Sequence, residues 1–150
     1  MILLRYGPLT ALEQPLLNKF YKSQGSPMRA PAEGQLWVAR AEEIVAGLSL
    51  SPVPGGYWLT GLWVARNRRG QKIAGALIET ALQFAKGTTW LFCHPDLQVF
   101  YQQQGFSNCT QLPAELAERL ARYQRSKPLL AMARAQSSLP ASSPGNNTSV

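Results

Sequence analysis

The sequence predicts a mixed α/β domain on a largely antiparallel sheet, and three features carry that expectation. Strand-like apolar runs at 35–40, 43–52 and 57–65 follow one another across short turns, as in a meander. From Ile73 the pattern changes to apolar residues at 73, 74, 77, 78, 81, 84 and 85, the period of a helix with one buried side. Eleven prolines and twelve glycines in 150 residues divide the chain into many short elements, which argues against a helical bundle.

Each element has its own local signal. Residues 2–6 form a β-compatible opening strand. Thr10 suits the N-cap of a helix within 9–25, and Pro15 falls in its first turn, where a missing N–H matters least. Residues 26–34 read as a loop, a usual home for substrate contacts. The runs 35–40 and 43–52 are separated only by Ala41 and Glu42, which argues for a hairpin. After the turn at 52–56, the run 57–65 is almost wholly apolar and is expected to be buried on both faces. Gly61 within it marks a bulge or a close backbone approach. A helix is expected from Ile73 to Lys86, stopped by Gly87. A strand over 88–93 ends at His94-Pro95, and a short helix opened by Asp96 reaches Gly105, a left-handed cap that lets Phe106 fold back onto Phe100 or Tyr101. A strand within 106–110 follows, then a helix from Pro113 to about Gln124 with Glu118 and Arg122 one turn apart. The run 128–134 closes as a strand. Residues 135–150 are rich in Ser, Pro, Gly and Asn and are expected to be a disordered tail, leaving a domain over 1–134.

A net charge of +7 predicts attraction to anions, whether nucleic acid, anionic lipid or a phosphorylated cofactor. Two cysteines make no disulfide framework, and with one histidine they argue against a dedicated metal site. No apolar run is long enough to cross a bilayer, and the N-terminus lacks the pattern of a signal peptide, so a cytoplasmic setting is expected. Cys93 and the tryptophans 37, 58, 63 and 90 lie on strands, where core packing is the default.

The chemistry concentrates in "VARNRRGQKIAGALI". A strand passes through a glycine-containing, cationic loop directly into a helix, which presents free amides and the positive end of the helix dipole to a phosphate. Neither the Walker nor the GxGxxG pattern is present. The segment "RRGQKIAGALI" resembles motif A of the Gcn5-related N-acetyltransferases (GNAT), Arg/Gln-x-x-Gly-x-Gly/Ala. Arg69 and Ala74 match this signature, and Lys72 stands where it has its central glycine. "HPDLQVFYQQQGF" resembles motif B of the same family. The two motifs and the order of elements extend the resemblance over residues 1–134.

That resemblance implies a sheet splayed between 57–64 and 88–93, helices on both sides, and acetyl-CoA as acetyl donor. It places the donor on Leu62, Trp63 and Val64 of the strand and on Arg69, Gly70, Gln71, Lys72, Ile73, Ala74 and Gly75 of the loop and helix start, with His94 and Tyr101 beside its thioester arm. Tyr101 falls on the family's general acid, and a backbone N–H of 59–64 on its oxyanion donor. The implied reaction is direct acetylation of an amine, with a small molecule favoured over a protein as acceptor. The strand before motif A lacks the glutamate that many relatives use as base, so His94 and Glu43 are the candidates. Two rivals remain: a degenerate acyl-CoA sensor without turnover, and a basic nucleic-acid-binding module using 66–72 and 119–127, which lacks any accompanying recognition motif. Homodimerisation stays open.

Overall fold

The computed structural model describes residues 3–136. Seven strands form one sheet in the order β1-β2-β3-β4-β5-β7-β6, with β1 Arg5–Leu9, β2 Gln35–Arg40, β3 Ile44–Val53, β4 Gly56–Val64, β5 Gly87–Cys93, β6 Ser107–Asn108 and β7 Leu130–Gln136. All neighbours are antiparallel except β4 and β5. Among the described residues four α-helices accompany it: α1 Gln14–Ser23, α2 Ile73–Leu82, α3 Gln98–Gln103 and α4 Ala114–Tyr123. The fold is the mixed α/β, largely antiparallel sheet expected. Most of the expected tail, from residue 137 onward, lies outside the described residues.

The faces of the sheet follow from its register. Trp63 pairs with Gly47, Thr60 with Ser49 and Trp58 with Ser51, so these side chains share one face. A Cβ on Gly47 would meet Leu17 of α1, and the Arg119 guanidinium of α4 lies 4.8 Å from the Trp58 ring centroid. Helices α1 and α4 therefore cover this face. The alternate residues of β3, Ala46, Leu48 and Leu50, are wholly buried on the other face, where Ile73, Leu77, Ile78 and Ala81 of α2 pack.

Several local expectations are sharpened or corrected. The opening strand is shifted to Arg5–Leu9 because its register is set by β2, Arg5 opposite Arg40 and Leu9 opposite Leu36. Pro8 is tolerated there because β1 is an edge strand. Thr10 does open the first helical segment: Glu13 Oε1 accepts from the Thr10 N–H at 3.1 Å, and a single 3-10 turn leads into α1. Helix α2 stops at Leu82 rather than Lys86. Phe84, just beyond it, stacks on Trp37 with ring centroids 5.4 Å apart. Gly87 is no helix cap. It opens β5 at φ 83°, and a Cβ there would overlap the Gly55 carbonyl oxygen. His94, not Asp96, opens the segment before α3, its Nδ1 accepting from the Asp96 N–H at 3.1 Å. Gly105 has the expected positive φ of 88°, and Phe106 packs edge-on against Tyr101 at 5.9 Å. The ion pairs among the described residues are Arg40–Glu13 and Arg134–Glu79; Glu118 and Arg122 do not form one. No helix among the described residues is long and apolar enough to cross a membrane.

Strand β4 departs most from its expected environment. Only Leu59 is buried, and the other eight residues are intermediate. Its long apolar run is explained by an opening beside it rather than by a neighbouring strand.

Candidate functional site

β4 and β5 pair only at Gly56–Thr88, Tyr57–Thr89 and Trp58–Trp90. Beyond Trp58 the strands diverge, and a cleft of about 730 Å³ lies alongside the freed part of β4. Its walls are 62–64 of β4, the loop at 68–72, the first turn of α2 at 73–76, and one side of α3. Of the twelve residues expected to hold the donor, the structure gathers all but Gln71 and His94 along this cleft. Arg68, a member of the cationic cluster, joins them, and Ala76, Leu97, Phe100, Gln103 and Gln104 do so unforeseen. Leu97, Phe100, Tyr101 and Gln104 had a readable signal, since they sit at i, i+3, i+4 and i+7 and so form a single helical stripe.

The freed stretch of β4 carries a bulge. Thr60 pairs with Ser49 and Trp63 with Gly47, so Gly61 and Leu62 together stand opposite Leu48. Gly61 has φ 72°, the left-handed backbone that such a bulge takes up with glycine. The Tyr21 hydroxyl of α1 donates to the Gly61 carbonyl at 2.6 Å.

At the other end of the cleft, no side chain caps α2. Among the described residues, none of the backbone amides from Gly70 to Gly75 donates to a protein acceptor. They lie at the positive end of a ten-residue helix, where an anion is stabilised. Gly70 has φ 83°, and a Cβ placed on it would meet nothing within 4 Å, so the loop leaves open space. Gly75 has a different reason: a Cβ there would lie 2.9 Å from Gln104 Oε1, so glycine lets α3 approach α2. Arg68, Arg69 and Lys72 line the cleft, and no carboxylate does.

Lys72 occupies the N-cap position of α2 at φ 62°, ψ 22°. Among the described residues it is the one non-glycine with positive φ. The glycine of the motif A signature is thus replaced where the backbone still needs glycine's geometry. A left-handed lysine is strained by about 1–2 kcal/mol, partly offset because glycine loses more entropy on folding, by about 0.5–1 kcal/mol. Lys72→Gly is therefore expected to stabilise the fold by about 0.5–1 kcal/mol. A rise in the urea midpoint with unchanged m-value is the readout, and an unchanged or lower midpoint contradicts it.

Arg69, the signature arginine, turns back over the strand. Its Nε donates to the Val64 carbonyl at 3.0 Å, and its guanidinium stacks on Trp63 at 4.8 Å. Arg66 stacks on the same indole at 5.2 Å. Gln24, just past α1, accepts from the Arg66 N–H at 2.9 Å and from Trp63 Nε1 at 3.4 Å. Trp58 and Trp63 are half-buried, whereas Trp37 and Trp90 are core residues as expected.

Tyr101 faces the cleft from α3 with 7% of its surface exposed. Burial, and secondarily the neighbouring Cys93, raise its phenol above the ordinary value of 10.0, so it stays protonated throughout the neutral range. His94 is exposed and does not line the cleft. Its Nδ1 accepts from the Asp96 N–H at 3.1 Å and also lies 3.4 Å from the Asp96 carboxylate. Glu43 sits in the exposed β2–β3 turn rather than on the strand. Neither candidate base reaches the cleft.

The fold has counterparts among solved structures. Escherichia coli ElaA superimposes with a TM-score of 0.63 at 18% identity, over 89% of this chain and 99% of that one. Arabidopsis thaliana Naa50, in complex with the bisubstrate analogue CoA-Ac-MVNAL, does so at 0.65 and 14% identity over 89% and 99%. Rv2747 from Mycobacterium tuberculosis, in complex with CoA and NLQ, gives 0.65 and 13% over 88% and 99%. At these identities the likeness speaks for the fold. No curated protein matches by sequence. The family model described as an acetyltransferase (GNAT) domain matches residues 32–108, a span from just before β2 through the splay, the cationic loop and α3 to β6, and the chain belongs to that family.

Proposed function

We propose that the protein moves the acetyl group of acetyl-CoA directly to the amine of a small-molecule acceptor. The observation that carries this reading is the single cleft joining an uncapped, cation-bearing helix start to a buried, protonated tyrosine. Acetyl-CoA supplies an acyl group already activated as a thioester. The amides of 70–75, with Arg68 and Lys72, suit its diphosphate. Leu62, Val64, Leu97 and Phe100 offer an apolar wall to its arm. The bulged strand offers a backbone N–H to the carbonyl oxygen where charge develops. Tyr101 donates a hydrogen bond at the leaving sulfur.

Since no carboxylate lines the cleft, the amine arrives neutral or gives its proton to water. The same lack favours a second reading, a sensor that binds the donor without turning it over. The two free cysteines, Cys93 and Cys109, are in keeping with a cytoplasmic, reducing setting.

Thermal unfolding with CoA and acetyl-CoA tests donor binding. A ligand at 100 times its Kd adds about 2.7 kcal/mol, a shift readily seen. No shift with either compound overturns the donor reading. Thiol release across a panel of amines then separates enzyme from sensor, the sensor giving none.

A further inference from the structure

We propose that the C-terminal turn of α1 is the positioning element of the donor cleft, with Tyr21 setting the peptide that faces the thioester and Gln24 setting the strand's exit into the anion loop. This rests on the donor reading above and adds two residues that touch no reacting atom.

Tyr21 is 1% exposed and belongs to a helix on the face of the sheet away from the cleft. Its hydroxyl donates to Gly61 O at 2.6 Å. That carbonyl belongs to the bulge, where the ladder to β3 is interrupted and the strand by itself does not define the peptide's orientation. No peptide among the described residues is cis. With Gly61 O drawn towards α1, the Leu62 N–H of the same planar unit points the opposite way, to the side of the cleft that Leu62 lines. Glycine is required for this contact twice over. Its φ is 72°, and a Cβ at position 61 would lie 2.7 Å from the Tyr21 hydroxyl oxygen.

Gln24 lies one turn further along. Its side-chain oxygen accepts from the Arg66 N–H and from Trp63 Nε1, and its own carbonyl accepts from Arg66 Nε at 3.4 Å. These bonds hold the point where β4 becomes the anion loop. The two residues therefore act on different ends of the ligand.

Isothermal titration of CoA and acetyl-CoA separates the two roles. Wild-type protein is expected to prefer acetyl-CoA over CoA. Tyr21→Phe, which keeps the ring, is expected to lower that preference by ~5- to 10-fold, the worth of one hydrogen bond, with CoA affinity unchanged. Gln24→Ala is expected to weaken both ligands by the same factor and leave the preference intact. The proposal is overturned if Tyr21→Phe keeps the preference or weakens both ligands alike, or if wild type shows no preference. Failure of wild type to bind either ligand instead removes the donor reading itself. Amide hydrogen exchange at Leu62 of the wild-type chain provides a check that needs no variant: acetyl-CoA should slow it and CoA should not. Equal exchange in the two complexes contradicts the assignment.

Discussion

Tyr101→Phe is expected to lower kcat for acetyl transfer by about 100-fold, the lower end of what general-acid groups contribute, while the KM for acetyl-CoA stays near its wild-type value. The size follows from the phenol's environment. Burial raises it above 10.0, whereas a free thiol ionises near 8.5, so full proton transfer to a leaving thiolate runs uphill. Donation of a hydrogen bond to the developing charge does not. This predicts the sign of the pH dependence as well. The neutral phenol persists from acid up to at least pH 10, so Tyr101 should add no descending limb to the rate below that value. Phenylalanine fills the same space against Phe100 and Phe106, and the variant should fold. A Tyr101→Phe protein with wild-type kcat, measured by thiol release, would remove the residue from the chemistry.

Gly56→Ala is expected to destabilise the fold by about 3 kcal/mol, the upper end for overpacking. In a chain of this size that lowers Tm by roughly 6–12 °C. Gly56 is where β4 begins its short parallel pairing with β5, opposite Thr88. A Cβ there would overlap the Thr88 carbonyl oxygen, a backbone atom with no rotamer by which to escape. Gly55 and Gly87 crowd the same point, with the Thr88 N–H donating to Gly55 O at 3.0 Å. This knot holds the closed end of the splay, so pushing it apart disturbs the cleft as well as the stability. A thermal scan showing an unchanged Tm would contradict the argument.

The parts that were legible in the chain are those fixed by local chemistry. The spacing from 73 to 82, the hairpin of 35–53, the bulge at Gly61 and the fold-back of Phe106 past Gly105 each depend on neighbours close in sequence, and each is present. The errors have a common cause. The apolar run 57–65 reads as a strand buried on both faces, because a strand that lines an apolar ligand cleft has the same composition as one buried between layers. The α2 pattern reads on to Lys86 because periodicity does not register that Gly87 must reach Gly55. His94 reads as a site residue by its place in motif B, yet its ring turns back to cap its own turn.

The candidate site divides along the same line. The amides of 70–75 and the stripe of α3 were accessible in sequence, because a strand–loop–helix junction and an i, i+3, i+4, i+7 spacing carry their geometry with them. That Lys72 adopts a left-handed backbone was not, since nothing in a lysine announces it and only the join between loop and helix imposes it. Tyr21 and Gln24 lie about 40 residues from the atoms they hold, Gly61 and Arg66. Within their own helix they show only one buried aromatic and one polar end. Local sequence determined the fold and the strand–loop–helix junction at 64–75 of this protein through short-range sterics and periodicity. That the sheet splays between 57–64 and 88–93 was implied by the family resemblance; tertiary structure alone decided that pairing ends at Trp58–Trp90 and which distant side chains hold the opening, because those contacts exist only once the sheet has brought α1 against β4.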